Sequence, residues 1–190
     1  VDLGTTKVAG YLVDMETGAT LAAEGVMNPQ ISYGEDVMAR IAFALESEAN
    51  AAALRDVIMS GLSELAQTLC RRVGANPSDI YEAVVVGNTA MHHLFLGLPV
   101  RQLGNAPYLA ATSDPLDVKA RDIGLPLAPG AYVHLLPNIA GFVGADHVAM
   151  ILATGLWQAE EPTPALDIGT NTEIALFHEG KVPLKNYACG

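Results

Sequence analysis

The sequence repeats itself, and the repeat constrains the fold more than any other feature. Val1-Asp2-Leu3-Gly4-Thr5-Thr6 returns as Leu166-Asp167-Ile168-Gly169-Thr170-Asn171. Each copy is followed by an apolar segment, Val8 to Val13 or Ile174 to Phe177, and then by a glycine turn at Gly18 or Gly180. Two copies in matching context indicate one supersecondary unit used twice. A strand ending in Asp, then Gly-Thr-Thr or Gly-Thr-Asn, then another strand makes a tight hairpin, with the glycine allowing close backbone approach. Backbone N–H groups there, with the side chains of Thr5, Thr6, Thr170 and Asn171, can donate to phosphate oxygens. Asp2 and Asp167 sit where carboxylates could hold the water shell of Mg²⁺. Two such hairpins facing each other would clamp the phosphates of a nucleotide. Lys7 suits either a phosphate contact or a solvated strand position.

The segments between the copies read as alternating strands and helices. Val8 to Val13 and Thr20 to Met27 are strands, and Asn28-Pro29 ends that unit. Ser32 is the expected cap of a helix reaching about Ser47, with Val37, Ile41 and Leu45 on one face. A second helix is expected from about Ala52 to Arg72, striped by Leu54, Ile58, Leu62, Leu65 and Leu69 and closed by Gly74. Ala83 to Val86 reads as a buried strand entering Gly87-Asn88-Thr89 and a short helix. Residues 97–130 carry five of the 11 prolines and no sustained period, so a long surface loop or insertion is expected. A strand at Val133 to Leu136, a glycine turn at 141–144 and a helix from Ala145 to Leu156 follow. The domain reading is one lobe over 1–158, a linker at 159–164 and the start of a second lobe over 165–190.

Charge and cysteine content exclude several classes. Lys and Arg number 10 against 21 Asp and Glu, a net charge of −11, which is not the footprint of a nucleic-acid or anionic-membrane binder. Hydrophobic residues make up 51% and charged residues 16%, so the chain can build a core. Two cysteines, Cys70 and Cys189, form no disulfide framework; Cys70 falls on the core side of its helix. His92 and His93 point apart on a helix, and His134, His147 and His178 are scattered, so no zinc site is expected. The expected compartment is the cytoplasm. Asp146 follows a glycine-rich turn at a helix start, where it suits general-base work or simple dipole stabilisation. Asn88, at a strand-to-helix junction, is the polar residue expected to face a nucleotide or partner.

Paired D-x-G-T hairpins resemble those of the superfamily of acetate and sugar kinases, the heat-shock 70 ATPase domain and actin. A longer string of motifs is similar to the C-terminal ATPase domain of the reductive activators of corrinoid proteins. It comprises Asp2 to Ala9, Asn28-Pro29-Gln30 with Tyr33 to Val37, Val86 to His93, Leu103-Gly104 with Ala106-Pro107-Tyr108, Gly141 to Asp146, and Asp167 to Glu173. The resemblance implies an α/β fold: a ribonuclease-H-like (actin-like ATPase) lobe with a mixed β-sheet flanked by helices, plus the first hairpin of a similar lobe. It implies ATP and Mg as cofactors, with Gly4, Thr5, Thr6, Lys7, Asn88, Gly169, Thr170, Asn171 and Thr172 at the nucleotide, Asp2 and Asp167 at the metal, and Asp146 catalytic. It also implies a corrinoid protein as partner, whose inactive Co(II) is returned to Co(I). The electron would come from a [2Fe-2S] domain of the longer protein, since this chain has no cluster-binding cysteine set; by itself the chain is expected to be inactive. A homodimer is a further expectation. In a related group, the activators of 2-hydroxyacyl-CoA dehydratases, a cysteine placed like Cys189 holds a [4Fe-4S] cluster between subunits. Two alternatives stay open: a small-molecule kinase using Asp146 as base, and a non-enzymatic actin- or chaperone-like nucleotide switch.

Overall fold

A computed structural model describes residues 1–169, 171–177 and 184–188, and shows how the repeat is built in. In chain order the strands are β1 (Asp2–Leu3), β2 (Lys7–Val13), β3 (Thr20–Met27), β4 (Glu82–Val85), β5 (Leu116–Lys119), β6 (Tyr132–Leu135), β7 (Thr163–Ile168), β8 (Asn171–Phe177) and β9 (Leu184–Ala188). The helices are α1 (Val37–Glu46), α2 (Glu48–Val73), α3 (Thr89–Leu96) and α4 (Ala145–Thr154). β1, β2 and β3 form an antiparallel meander, and β4 runs parallel to β6, whose other edge takes β5 antiparallel. A parallel bridge at Asp2 and Val86 joins the two groups, with Leu3 N–H donating to the Val86 carbonyl at 2.7 Å and Val86 N–H to Val1 at 2.9 Å. The resulting order is β3-β2-β1-β4-β6-β5, with β1, β4 and β6 parallel in the middle. This is the mixed sheet of an actin-like lobe. β7, β8 and β9 make a separate antiparallel sheet.

The stripe on α2 is core. Ile58, Leu62, Leu65 and Leu69 pack with Leu3, Val8, Val85, Val133 and Leu135 in one buried cluster, each such side chain contributing about 1.5–3 kcal/mol by leaving water. A second cluster joins α1 and α3 through Val37, Ile41, Leu54, Leu94 and Leu103. No helix among the described residues is long and apolar enough to cross a membrane.

The structure corrects two helix starts. Ser32 caps nothing: Pro29 to Tyr33 is a 3-10 turn capped by Asn28, and α1 starts after Asp36, whose Oδ1 accepts the Ala39 N–H at 2.7 Å. Proline at the first position suits the start of a helical turn, and Gly34 ends it. α2 starts at Glu48 because the Ser47 hydroxyl caps it, accepting the Asn50 N–H at 3.1 Å. The stretch 97–130 is likewise folded rather than a bare loop. It supplies β5 and a 3-10 turn at Ala120–Ile123, and buries Val100, Leu103, Ala120, Leu125 and Ala128. Its prolines break periodicity without preventing burial. β7 starts at Thr163, inside the stretch expected as a linker.

Candidate functional site: a carboxylate cleft between two hairpins

Three loops leave the carboxyl ends of the parallel strands β1, β4 and β6, where open α/β sheets gather ligands. The loop after β1 is the first D-x-G-T turn, residues 4–6, held between the Asp2–Ala9 and Leu3–Val8 pairs. The loop after β4 is Gly87-Asn88, and the one after β6 runs through Gly144 into α4. Their backbones nearly touch. A Cβ on Gly87 would stand 2.7 Å from the Leu3 carbonyl oxygen, and one on Gly144 would run into the Gly87 oxygen and the Asn88 backbone. Glycine at both places is therefore a condition of bringing the three loops together. The Asp146 N–H closes the contact by donating to the Gly87 carbonyl at 3.3 Å.

Asn88 is half-buried and bonded within the protein. Its Oδ1 accepts the Met91 N–H at 3.0 Å as the cap of α3, and its Nδ2 donates to the Thr5 hydroxyl at 3.0 Å. It sets the rotamer of Thr5, which is itself buried. Thr6 and Lys7 are exposed beside it. Beneath the loop lies Arg40, fully buried, which the sequence reading missed. Its guanidinium donates to the Thr5 carbonyl at 2.6 Å, to the Gly34 carbonyl at 3.0 Å and to the Met91 sulfur at 3.2 Å. Desolvation lowers its pKa to about 10, against the attraction of Asp36. A cation under a turn of N–H groups favours an anion above it.

The carboxylates converge. Asp146, in the first turn of α4, accepts the His147 N–H at 2.9 Å. Its pKa is raised to about 6, chiefly by burial and further by the charges of Asp2 and Asp167. Asp2 is raised by burial and by Asp167. The two aspartates of the repeat and the helix carboxylate therefore share one electrostatic environment. Glu173 joins them. It lies directly across from Asp167 in the β7–β8 pair, and burial, Asp146 and Asp167 raise it to about 7. His147, expected to be scattered away from any cluster, lies with its ring within 4.8 Å of ligand oxygens of Asp167 and Glu173. The signal for Glu173 was available: it stands six residues after Asp167, where an antiparallel turn returns it to the same face. Gly169 and Thr172 lie at this second turn. Thr170, Gly180, His178 and Cys189 lie outside the described residues, as does the Asn171 side chain. Cys70 is buried.

Residues 1–159 match the family model described as the RACo middle region. The chain belongs to that family. Among curated relatives of this RACo middle region, the corrinoid activation enzyme RamQ of Eubacterium limosum is 38% identical over 189 residues, covering 100% of this chain and 32% of RamQ. The [Co(II) methylated amine-specific corrinoid protein] reductase of Methanosarcina barkeri is 28% identical over 199 residues, covering 100% and 36%. A solved reductive activator for corrinoid, iron-sulfur protein superposes with a TM-score of 0.96 at 36% identity, over 100% of this chain and 30% of that one. The chain thus spans about a third of the length of the relatives it matches.

Proposed function

We propose that this chain is the ATP-binding part of a reductive activase that restores Co(I) in a corrinoid methyl-carrier protein. The observation that carries the reading is the convergence of Asp2, Asp146 and Asp167 at the mouths of the two repeated hairpins, close enough that the charge of Asp167 raises the pKa of Asp2 and the charges of Asp2 and Asp167 raise that of Asp146. Oxygen-rich donors at the ends of two phosphate-sized turns suit a magnesium–nucleotide pair. When bound, ATP and Mg²⁺ would supply a hydrolysable phosphoanhydride, held by Gly4, Thr5, Thr6 and Lys7 on one side and by Gly169, Thr170, Asn171 and Thr172 on the other. Asp2 and Asp167 would hold the metal through water. Asn88 acts through Thr5, and Arg40 places positive charge below the first turn. Asp146, whose pKa of about 6 lies near working pH, is suited to take a proton from the attacking water.

Hydrolysis to ADP and phosphate would drive one electron uphill, from a reduced [2Fe-2S] domain of the longer protein to Co(II), giving the oxidised cluster and Co(I). The corrinoid partner follows from what the relatives are named for. The experiment is ATP turnover by the full-length parent with and without a Co(II) corrinoid protein, cobalt oxidation state being followed optically. Co(I) is expected only with ATP and reductant together, and Asp146→Asn is expected to abolish it. Hydrolysis indifferent to the corrinoid protein, with no Co(I), would sink the reading.

A further inference from the structure

We propose that the cleft also holds a divalent first-row transition-metal ion, of the manganese or zinc kind, bound directly by His147, Asp167 and Glu173 before any nucleotide arrives. This goes beyond a water-shelled magnesium between phosphates, because it needs a nitrogen ligand and no nucleotide. Asp167 and Glu173 are register partners across β7 and β8, so both side chains leave the same face of the sheet. Directly opposed like charges on one face destabilise a strand pair, and a cation between them reverses that sign. His147 is 1% exposed, and neither ring nitrogen has a hydrogen-bond partner. A buried polar atom left without a partner is costly, and coordination would satisfy one of the two ring nitrogens.

One ring nitrogen and one oxygen from each carboxylate lie within 4.8 Å of one another. Metal bonds of about 2.0–2.2 Å require donors roughly 3 Å apart, so the shell has to draw in. Asp167 and Glu173, both half-buried, can do this by rotamer change. One imidazole with two carboxylates suits manganese, iron, cobalt or zinc; magnesium takes oxygen and keeps its waters. Three protein ligands leave coordination positions open, as exchangeable sites do.

The test uses the full-length parent, stripped with a chelator and without nucleotide, titrated with manganese chloride alone. Free manganese is counted by electron paramagnetic resonance, and pulsed methods look for ¹⁴N coupling. One bound ion per chain with imidazole nitrogen coupling is expected, with binding at least tenfold weaker to magnesium. His147→Gln should remove the nitrogen signal and weaken manganese about tenfold or more. Glu173→Gln, a milder change in a strand, should weaken it about tenfold while keeping the signal. No bound manganese, manganese bound without nitrogen coupling, a nitrogen signal that survives His147→Gln, or unchanged affinity in Glu173→Gln would each overturn the proposal. Because no ATP turnover enters the measurement, its failure is separate from failure of the activase reading.

Discussion

The two copies of the hairpin share a sequence and differ in what holds them. In the first, Leu3 and Val8 are each 1% exposed and lie on α2, with Arg40 bonded to the turn from below. In the second, Ile168, which corresponds to Leu3, is 78% exposed and Leu166 is 57% exposed, while Ala175 and Phe177 pack on Leu156 from the other side. The aspartates nevertheless come close enough to feel each other's charge. Turn chemistry fixes the shape of a D-x-G-T loop locally, whereas the strands that carry it take their stability from whatever lies against them. The sharpest way to break this comparison is Leu3→Ala. A fully buried leucine should cost about 3 kcal/mol, within the range for large-to-small changes in cores. Urea unfolding would measure it, and a loss below about 1 kcal/mol would mean that the first hairpin is no better seated than the second.

Arg40 sharpens the same contrast. Arg40→Met keeps volume but leaves the Thr5 and Gly34 carbonyls without their donor. The expected loss is about 2 kcal/mol of stability, since buried acceptors left unmade cost about 1–3 kcal/mol each and the buried charge disappears with them. In the parent protein, ATP affinity should fall about tenfold, or ~1.4 kcal/mol. Arg40→Lys should recover little, because an ammonium cannot reproduce the planar fork. Equal ATP binding by wild type and Arg40→Met, read by calorimetry, would remove Arg40 from the site.

Between the hairpins, Asp146 should act in the opposite direction. Its folded-state pKa of about 6 lies above the ordinary carboxyl value of 3.8, so in that interval the native state keeps a proton that the unfolded chain has released. Stability therefore falls as pH rises from about 4 to 6, and the full penalty remains above 6. Asp146→Asn removes the charge, flattens that slope and should stabilise the chain by about 1–2 kcal/mol at pH 8. It should abolish ATP hydrolysis in the parent at the same time. A variant less stable than wild type at pH 8, measured by urea midpoints across the pH range, would show that the carboxylate is paid for by a partner.

Much of this was legible in the sequence, and the rest was hidden for identifiable reasons. The repeat, the α2 stripe, the glycine ending α2 and the placement of Asp146 in a first helical turn all depend on spacing along the chain, which sequence displays. Residues 97–130 read as loop because five prolines and no period hide Leu103 and Leu125, which are buried by partners distant in sequence. The bond from Arg40 to Thr5 spans 35 positions, and nothing in the local spacing marks it. His147 was discounted for having no histidine near it in sequence, while its neighbours Asp167 and Glu173 arrive from another sheet. Asn88, expected to face a nucleotide or partner, has its amide bonded to the Thr5 hydroxyl and the Met91 N–H, and the bond to Thr5 is one that spacing along the chain does not display.

The smallest expected effect is on the second hairpin itself. Ile168→Ser changes a side chain that is 78% exposed, so almost no apolar surface leaves water when this strand forms. Substitutions at such positions usually stay within ±0.5 kcal/mol, and the lower β-propensity of serine accounts for most of that. The urea midpoint of this chain should hardly move, although Leu3→Ala at the matching position costs about 3 kcal/mol. Repeating Ile168→Ser in the full-length parent asks a second question with the same substitution. A cost that rises toward the Leu3 value there would mean that further chain covers this face, making the two hairpins equivalent in the assembled protein. A cost that stays near zero would mean that the second hairpin presents its outer face to solvent, and the asymmetry belongs to the whole molecule.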